Sequence, residues 1–338
     1  MCAEPVSVAP ERGSNVSEQT VKLSFICPCF NEAEVIRRFH SELGEVLSPL
    51  EGVESEIVFV DDGSTDETLD RLNALAREDP RVRVVSLSRN FGHQIALTAG
   101  LDFARGDAVV MMDTDLQHPP GLVPQMLEKW REGYDIVSAV RRETAGATWF
   151  KNATSKTFYW LLNRLSRVEI PQGVADFTLL SARVYRQLRG MRERHRFVRG
   201  MISWMGFRRA FVYYDARDRA AGVSKYTFPR MLSMAVDAVV SFSSTPLRIA
   251  TGVGMFITFL GFLYLAWILL RAVFVGDLVV GWASLIAVTL ILGGCQLLFI
   301  GLIGQYLARV FDEVKGRPIY VVKQTPDESP GGSGASTR

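Results

Sequence analysis

The stretch "GDAVVMMDTDLQHPP" (Gly106–Pro120) decides how the chain folds. A mostly apolar run stops on Asp113, and Asp115, Gln117 and His118 follow before two prolines. Comparable runs with β-branched character recur at "LSFICPCF" (23–30), "EIVFVDD" (56–62), "RVRVVSL" (81–87) and "DIVSAVR" (135–141). Helical patterns separate them, over Glu34 to Leu47, Asp66 to Arg77 and His93 to Phe103. Strands alternating with helices predict an α/β fold with a mostly parallel sheet covered on both faces. The run before Asp113 is then a buried central strand.

In such a sheet the ligand crevice lies beyond the carboxyl ends of the strands. Asn31 and Glu32 follow the first strand, Asp61, Asp62 and Gly63 end the second, and Asp113 and Asp115 end the fourth. Three polar clusters therefore converge on one rim. In "DDGSTDE" (61–67), Gly63 can make the turn and Ser64 or Asp66 can cap the next helix, with Glu67 completing a capping box if Ser64 is the cap. That leaves Asp61 and Asp62 at the buried end of an apolar strand, where a carboxylate is costly unless hydrogen-bonded or paired. This cost favours a binding role for Asp61.

If the fourth strand continues, Asp113 and Asp115 point to the same side and offer two hard oxygen ligands to one divalent cation. Mg²⁺ or Mn²⁺ suits such ligands together with substrate phosphates, which points to a diphosphate-containing donor. His118, beside two prolines, reads first as turn packing. No Gly-x-Gly-x-x-Gly fingerprint follows the first strand and no Walker-type loop occurs, so a dinucleotide oxidoreductase and a P-loop enzyme are disfavoured.

The 338 residues carry a formal net charge of only +2. Between Arg183 and Arg230, however, 13 Lys or Arg face three acidic residues. Such a block suits nucleic acid, anionic lipid or phosphorylated substrates. Cys2, Cys27, Cys29 and Cys295 form no disulfide framework or zinc pattern, and Cys27 and Cys29 fall on one strand face as small buried hydrophobes.

Two uncharged runs, Ile249 to Leu270 and Leu278 to Leu307, predict two transmembrane helices, with buried helices of a soluble protein as the alternative. Basic residues before the first run (Lys225, Arg230, Arg248) and after the second (Arg309, Lys315, Arg317) place both flanks in the cytoplasm of a multi-pass inner (plasma) membrane protein. Tyr226 to Arg248 patterns as an amphipathic interfacial helix, or as one packed on the soluble domain, with Pro229 in its first turn and Pro246 near its end. These runs and the acidic strand ends oppose a nucleic-acid reading of "RHRFVRG".

The motifs "CPCFNEAE", "VDDGSTDET", "LSRNFGHQIALTAGLDFARGDAVVMMDTDLQHPP", "VADFTLLS", "RFVRGMISWMGF" and "GLIGQYLARVFDEVKGRPIYVV" together resemble the family-2 glycosyltransferases that load a sugar onto polyprenyl phosphate. Bactoprenol glucosyltransferases and dolichol-phosphate mannose synthases are of this kind. The resemblance runs from about Leu23 to Val322 and implies a Rossmann-like fold of the glycosyltransferase A type.

By that resemblance Pro28, Glu32 and Asp61 line the nucleotide pocket, Asp113 joins them at the donor, and Asp113, Asp115 and Gln117 form the metal and diphosphate segment. Asp176 occupies the position discussed as catalytic base, and Arg196 and Arg199 lie near the phosphates as catalytic groups. Arg199, Ser224 and Lys225 contact phosphate. Thr178 stands where relatives commonly carry Arg.

The activity implied is inverting transfer of glucose from UDP-glucose to polyprenyl (undecaprenyl) phosphate with Mg²⁺ or Mn²⁺. GDP-mannose-dependent transfer, or transfer of another UDP-linked sugar, is the enzymatic alternative, and a membrane scaffold the non-enzymatic one. Expected partners are the nucleotide sugar (UDP or GDP linked), polyprenyl phosphate, the lipid bilayer and further copies of the chain, up to a tetramer, with no nucleic acid. The expected division is a loose arm (1–20), a catalytic domain (21–225), the interfacial helix (226–248), two membrane helices (249–310), a cytoplasmic segment (311–325) and a loose tail (326–338).

Overall fold

The computed structural model describes residues 20–142, 174–214, 245–274 and 281–326. Its first half alternates as the apolar runs require: β1 (Val21–Cys29), α1 (Ile36–Leu47), β2 (Val53–Asp61), α2 (Thr68–Glu78), β3 (Val82–Leu87), α3 (His93–Phe103) and β4 (Ala108–Met111). A 3₁₀ turn at Pro120–Leu122 leads into α4 (Val123–Arg131) and β5 (Ile136–Arg141). Then come β6 (Val174–Ser181), α5 (Ala182–Gly190), α6 (Val198–Trp204), β7 (Arg209–Tyr214), α7 (Thr245–Phe274), α8 (Trp282–Val314) and β8 (Val322–Gln324).

The strands form one sheet in the order β7-β5-β6-β4-β1-β2-β3-β8. Alternate side chains along each strand feed two cores. Phe25, Cys27, Ile57 and Phe59 pack with α1, α2 and α4. Ile26, Val58, Val60 and Met111 pack with α3, α5 and α6 on the other face. Phe59 is fully buried, which contributes about 1.5–3 kcal/mol for a side chain of that size. Cys27 and Cys29 lie in the first core, and burial pushes both thiols well above their ordinary value.

The mostly parallel sheet expected from the sequence is corrected to a mixed one. Pairings β1–β2, β1–β4, β2–β3 and β5–β7 are parallel. Pairings β3–β8, β4–β6 and β5–β6 are antiparallel. The physical reason is that β6 inserts between β4 and β5 running the other way, which carries its first residues to the carboxyl end of β4. Met111 pairs with Thr178, so Asp176 sits just beyond the end of β4.

The two transmembrane helices and the multi-pass placement are also corrected. Among the described residues one segment, Leu292–Val314, is long and apolar enough to cross a membrane, by length and composition only. Within α7 the described stretch that is comparably apolar, Ala250–Tyr264, is shorter than 18 residues. Residues 226–244 of the expected interfacial helix lie outside the described residues. Pro246, expected near that helix's end, instead stands in the first turn of α7, where its missing N–H costs nothing.

The chain returns to the sheet after α8. Glu313 accepts from the Arg194 backbone N–H at 2.7 Å, Tyr320 donates to Asp102 at 2.7 Å, and Ser88 N–H donates to the Val321 carbonyl at 2.9 Å.

Candidate active site

The chain order reverses at β1, with β2 on one side and β4 on the other. The crevice of such a sheet opens at this switch point. The side toward β2 and β3 is built by backbone geometry. Gly63 has φ +68°, and a Cβ there would run into the Arg89 backbone. Asp61 is buried, and accepts from Ser64 N–H at 3.1 Å and Ser86 Oγ at 2.9 Å. Asp62 accepts from Phe91 N–H at 2.7 Å and Gly92 N–H at 2.8 Å. Burial pushes the Asp62 carboxyl up, and those two bonds only partly offset it. The cost that made Asp61 and Asp62 conspicuous in the sequence is thus met by donors within the fold. Asp66 accepts from Thr68 N–H at 3.0 Å, while Ser64 Oγ accepts from Asn31 N–H at 3.0 Å. Of the two residues considered as helix caps, Asp66 is the one that serves the helix.

The side toward β4 and β6 is built from charged side chains. β4 ends at Met111, so Asp113 and Asp115 lie on the loop beyond it, not on a continuing strand. The His93 Nε2 is 2.7 Å from Asp113 Oδ1, and His93 Nδ1 is 3.9 Å from Asp176 Oδ2. Arg199, from α6, donates through Nε to Asp176 Oδ1 at 2.5 Å and through Nη2 to Oδ2 at 2.9 Å. Ligand-capable atoms of His93, Asp113 and Asp176 all lie within 4.8 Å of one another, so one divalent cation could be held among them.

The electrostatics follow from this crowding. Burial works to raise the Asp113 carboxyl, but the His93 hydrogen bond and the charges of His93, His118 and Arg199 leave it below its ordinary value. Burial works to lower His93, and Asp113 and Asp176 outweigh it, so the imidazole is raised above 6.5. Glu32 is pushed up by burial and then by Asp115, Asp113 and Asp66. Tyr214 is pushed up by burial, with Asp113 and Asp115 adding to it against Arg141 and Arg199. Glu32 thus feels three other carboxylates, a surplus of negative charge that a cation would relieve.

The residues expected from the sequence divide as follows. Glu32, Asp113, Asp115, Asp176 and Arg199 come together on this rim. Pro28 reaches it through its carbonyl, which accepts from Thr114 Oγ1 at 3.2 Å. Gln117 donates to Asp115 at 2.7 Å, so these two side chains hold each other on the loop after β4. Arg196 is not brought there. It is buried, donates to the carbonyls of Leu188 and Met191, and takes its electrostatic neighbours from Arg192, Glu193, Asp102 and Glu313. Those carbonyls lie at the C-terminal end of α5, where a buried guanidinium serves acceptors that the helix leaves over. Ser224 and Lys225 lie outside the described residues.

His93 was missed. Its only signal was position: it opens the helix that follows a strand ending on the same rim. His118 packs as expected of a turn residue, stacked on Phe177 at 5.5 Å, and its Nδ1 accepts from the Asp113 N–H at 3.3 Å.

Comparison with known proteins now bears on this geometry. The model of Glycosyl transferase family 2 matches residues 24–189, from β1 through α5. The bactoprenol glucosyl transferase of Shigella phage SfV is 41% identical over 303 residues, covering 90% of this chain and 98% of that protein. A prophage bactoprenol glucosyl transferase homolog of Escherichia coli (strain K12) is 40% identical over 304 residues, covering 90% and 99%. The Bacillus subtilis (strain 168) glycosyltransferase YkcC is 40% identical over 305 residues, covering 90% and 94%. The likeness extends well past the sheet into the long helices, and the protein belongs to glycosyl transferase family 2.

Proposed function

We propose that the chain transfers glucose from UDP-glucose to a polyprenyl phosphate with inversion, assisted by Mg²⁺ or Mn²⁺. One observation carries the site: His93, Asp113 and the Asp176–Arg199 pair meet at the switch point of the sheet. Similarity to bactoprenol glucosyl transferases across nine-tenths of the chain supports the choice of glucose and of a polyprenyl acceptor.

Asp113, with Asp115 and Gln117 on the same loop, would hold the divalent ion, with His93 and Asp176 as further donors to it. The ion, when bound, neutralises the diphosphate that leaves. Asp61 and Glu32 face the nucleotide side of the crevice, near the Pro28 carbonyl. A lipid-phosphate oxygen attacks the anomeric carbon, the bond from that carbon to the diphosphate oxygen breaks, and UDP departs with the electron pair. The second pKa of a phosphate monoester is near 6, so the nucleophile is already largely deprotonated at neutral pH and no base is required. Both oxygens of Asp176 accept from Arg199. Orienting that guanidinium toward a phosphate suits Asp176 better than removing a proton does. A lipid acceptor also implies a bilayer surface beside the rim, and self-association of the chain belongs to the same proposal.

The test is transfer of labelled sugar from a panel of UDP- and GDP-linked donors to short polyprenyl phosphates, before and after chelation. UDP-glucose should be the preferred donor, with turnover lost on EDTA and recovered with Mg²⁺ or Mn²⁺. Preference for GDP-mannose would replace the donor, and full activity after thorough chelation would remove the metal.

A further inference from the structure

The helix that carries Arg199, α6, is seven residues long, too short to hold itself in water. Val198, Met201 and Ile202 bury its inner face in the core that Ala96 and Leu97 of α3 also feed. Such burial is non-directional, so it keeps α6 on the sheet without fixing how far the helix slides. The first N–H groups of a helix have no partner within it, and no side chain of the N-cap residue Phe197 serves them here. The acceptor comes from α3 instead: Gln94 Oε1 takes the Val198 N–H at 2.9 Å. That bond settles which way the Gln94 amide faces, since a backbone N–H can only donate. Its nitrogen end then lies 3.3 Å from His93 Nδ1. One side chain thus reaches from His93 to the residue directly before Arg199, across 104 positions of sequence.

We infer that Gln94 is a positioning residue for the transfer, setting the start of α6, and with it the Arg199 guanidinium, against His93 and Asp176. This rests on the transfer reaction proposed above and adds to it a residue that acts through Arg199. Because Arg199 follows the tethered residue in the chain, any shift of the helix start passes to its guanidinium. The two parallel hydrogen bonds from that guanidinium to Asp176 demand a fixed geometry. A displacement of about 1 Å is enough to cost rate at a positioned group.

Initial rates of sugar transfer, and deuterium uptake of the segment from Val198 to Trp204, are measured on the full-length protein in detergent. The chains compared are wild type, Gln94→Leu, Gln94→Glu, Arg199→Lys and the double variant Gln94→Leu with Arg199→Lys. Gln94→Leu removes the acceptor and keeps a good helix former, so kcat should fall about ten-fold with both KM values within about two-fold. The segment should then exchange faster. Gln94→Glu keeps an oxygen for the Val198 N–H and should recover most of the rate and of the protection. The double variant should be no slower than Arg199→Lys alone, because both losses pass through one guanidinium. Losses that multiply in the double variant, or a rise in KM with kcat unchanged, would overturn the inference and leave glucosyl transfer standing. So would a Gln94→Leu chain that melts earlier while its kcat per folded molecule holds, since that is the mark of a merely structural bond. A wild-type chain that transfers no sugar would fail the reaction itself, and unchanged exchange in Gln94→Leu would fail the tether separately.

Discussion

The two sides of the crevice use the same residue type for opposite ends. Toward β2 and β3, Asp61 and Asp62 are closed by N–H and hydroxyl groups of Ser64, Ser86, Phe91 and Gly92. Toward β4 and β6, Asp113 and Asp176 face His93 and Arg199 through side chains alone. A carboxylate bonded to its own backbone fixes a turn, whereas one bonded to a mobile cation can exchange that partner for a ligand. Asp62 and its turn should therefore answer to mutation in stability, and Asp113 and Asp176 in rate.

The sharpest break of that contrast is Arg199→Lys, which keeps the charge and loses the two-pronged hydrogen bond to Asp176. Turnover should fall about 10- to 100-fold with little change in melting temperature, as for other positioned phosphate-directed donors. A rate within two-fold of wild type would place Arg199 outside the chemistry.

Gly63→Ala probes the opposite side. Its positive φ and the approach of Arg89 predict a loss of roughly 2–5 kcal/mol in denaturant unfolding. The rate per folded molecule should hold; a normal midpoint would show that the turn tolerates a side chain.

The smallest effect lies away from both. Asp79 accepts from the Arg81 side chain at 2.8 Å and faces His40 Nε2 at 2.9 Å. The Arg81 hydrogen bond holds its carboxyl well below the ordinary 3.8, against the upward pull of burial. A depressed folded-state value stabilises above the unfolded value and is lost as pH falls through the folded one. Asp79→Asn should then cost about 1 kcal/mol at neutral pH, with the gap to wild type closing below about pH 4. A gap constant with pH would deny the ion pair its part.

The same contrast marks what the sequence made legible. The β2–β3 side was readable because each parallel strand is a local apolar run followed by its own helix, and α3 begins and ends where its pattern does. Its acidic ends drew attention through burial, and the fold meets that burial with donors from Ser64, Ser86, Phe91 and Gly92. The other side depends on β6, whose antiparallel course no local pattern in "VADFTLLS" announces, so Asp176 was reached by family resemblance alone. β8 is three residues long, too short for periodicity to register. Arg196 and Arg199 sit in one basic stretch, and only the fold separates them: one turns to the carbonyls of α5, the other to Asp176. His93, alone at a helix start, looked like any other first-turn residue. The apolar runs at the C-terminal end overstated the number of spans: among the described residues only Leu292–Val314 meets the length and composition of one.

The account turns on Asp113 serving chemistry while Asp62 serves the fold. Its most direct measurement is the initial rate of glucose transfer from UDP-glucose to a short polyprenyl phosphate, per folded molecule, in Asp113→Asn and Asp62→Asn. Asp113→Asn should lose about 100-fold or more, in line with removal of a group that stabilises developing charge, while Asp62→Asn stays within a few-fold of wild type and unfolds earlier. Equal rates for Asp113→Asn and wild type, or a loss confined to Asp62→Asn, would contradict it.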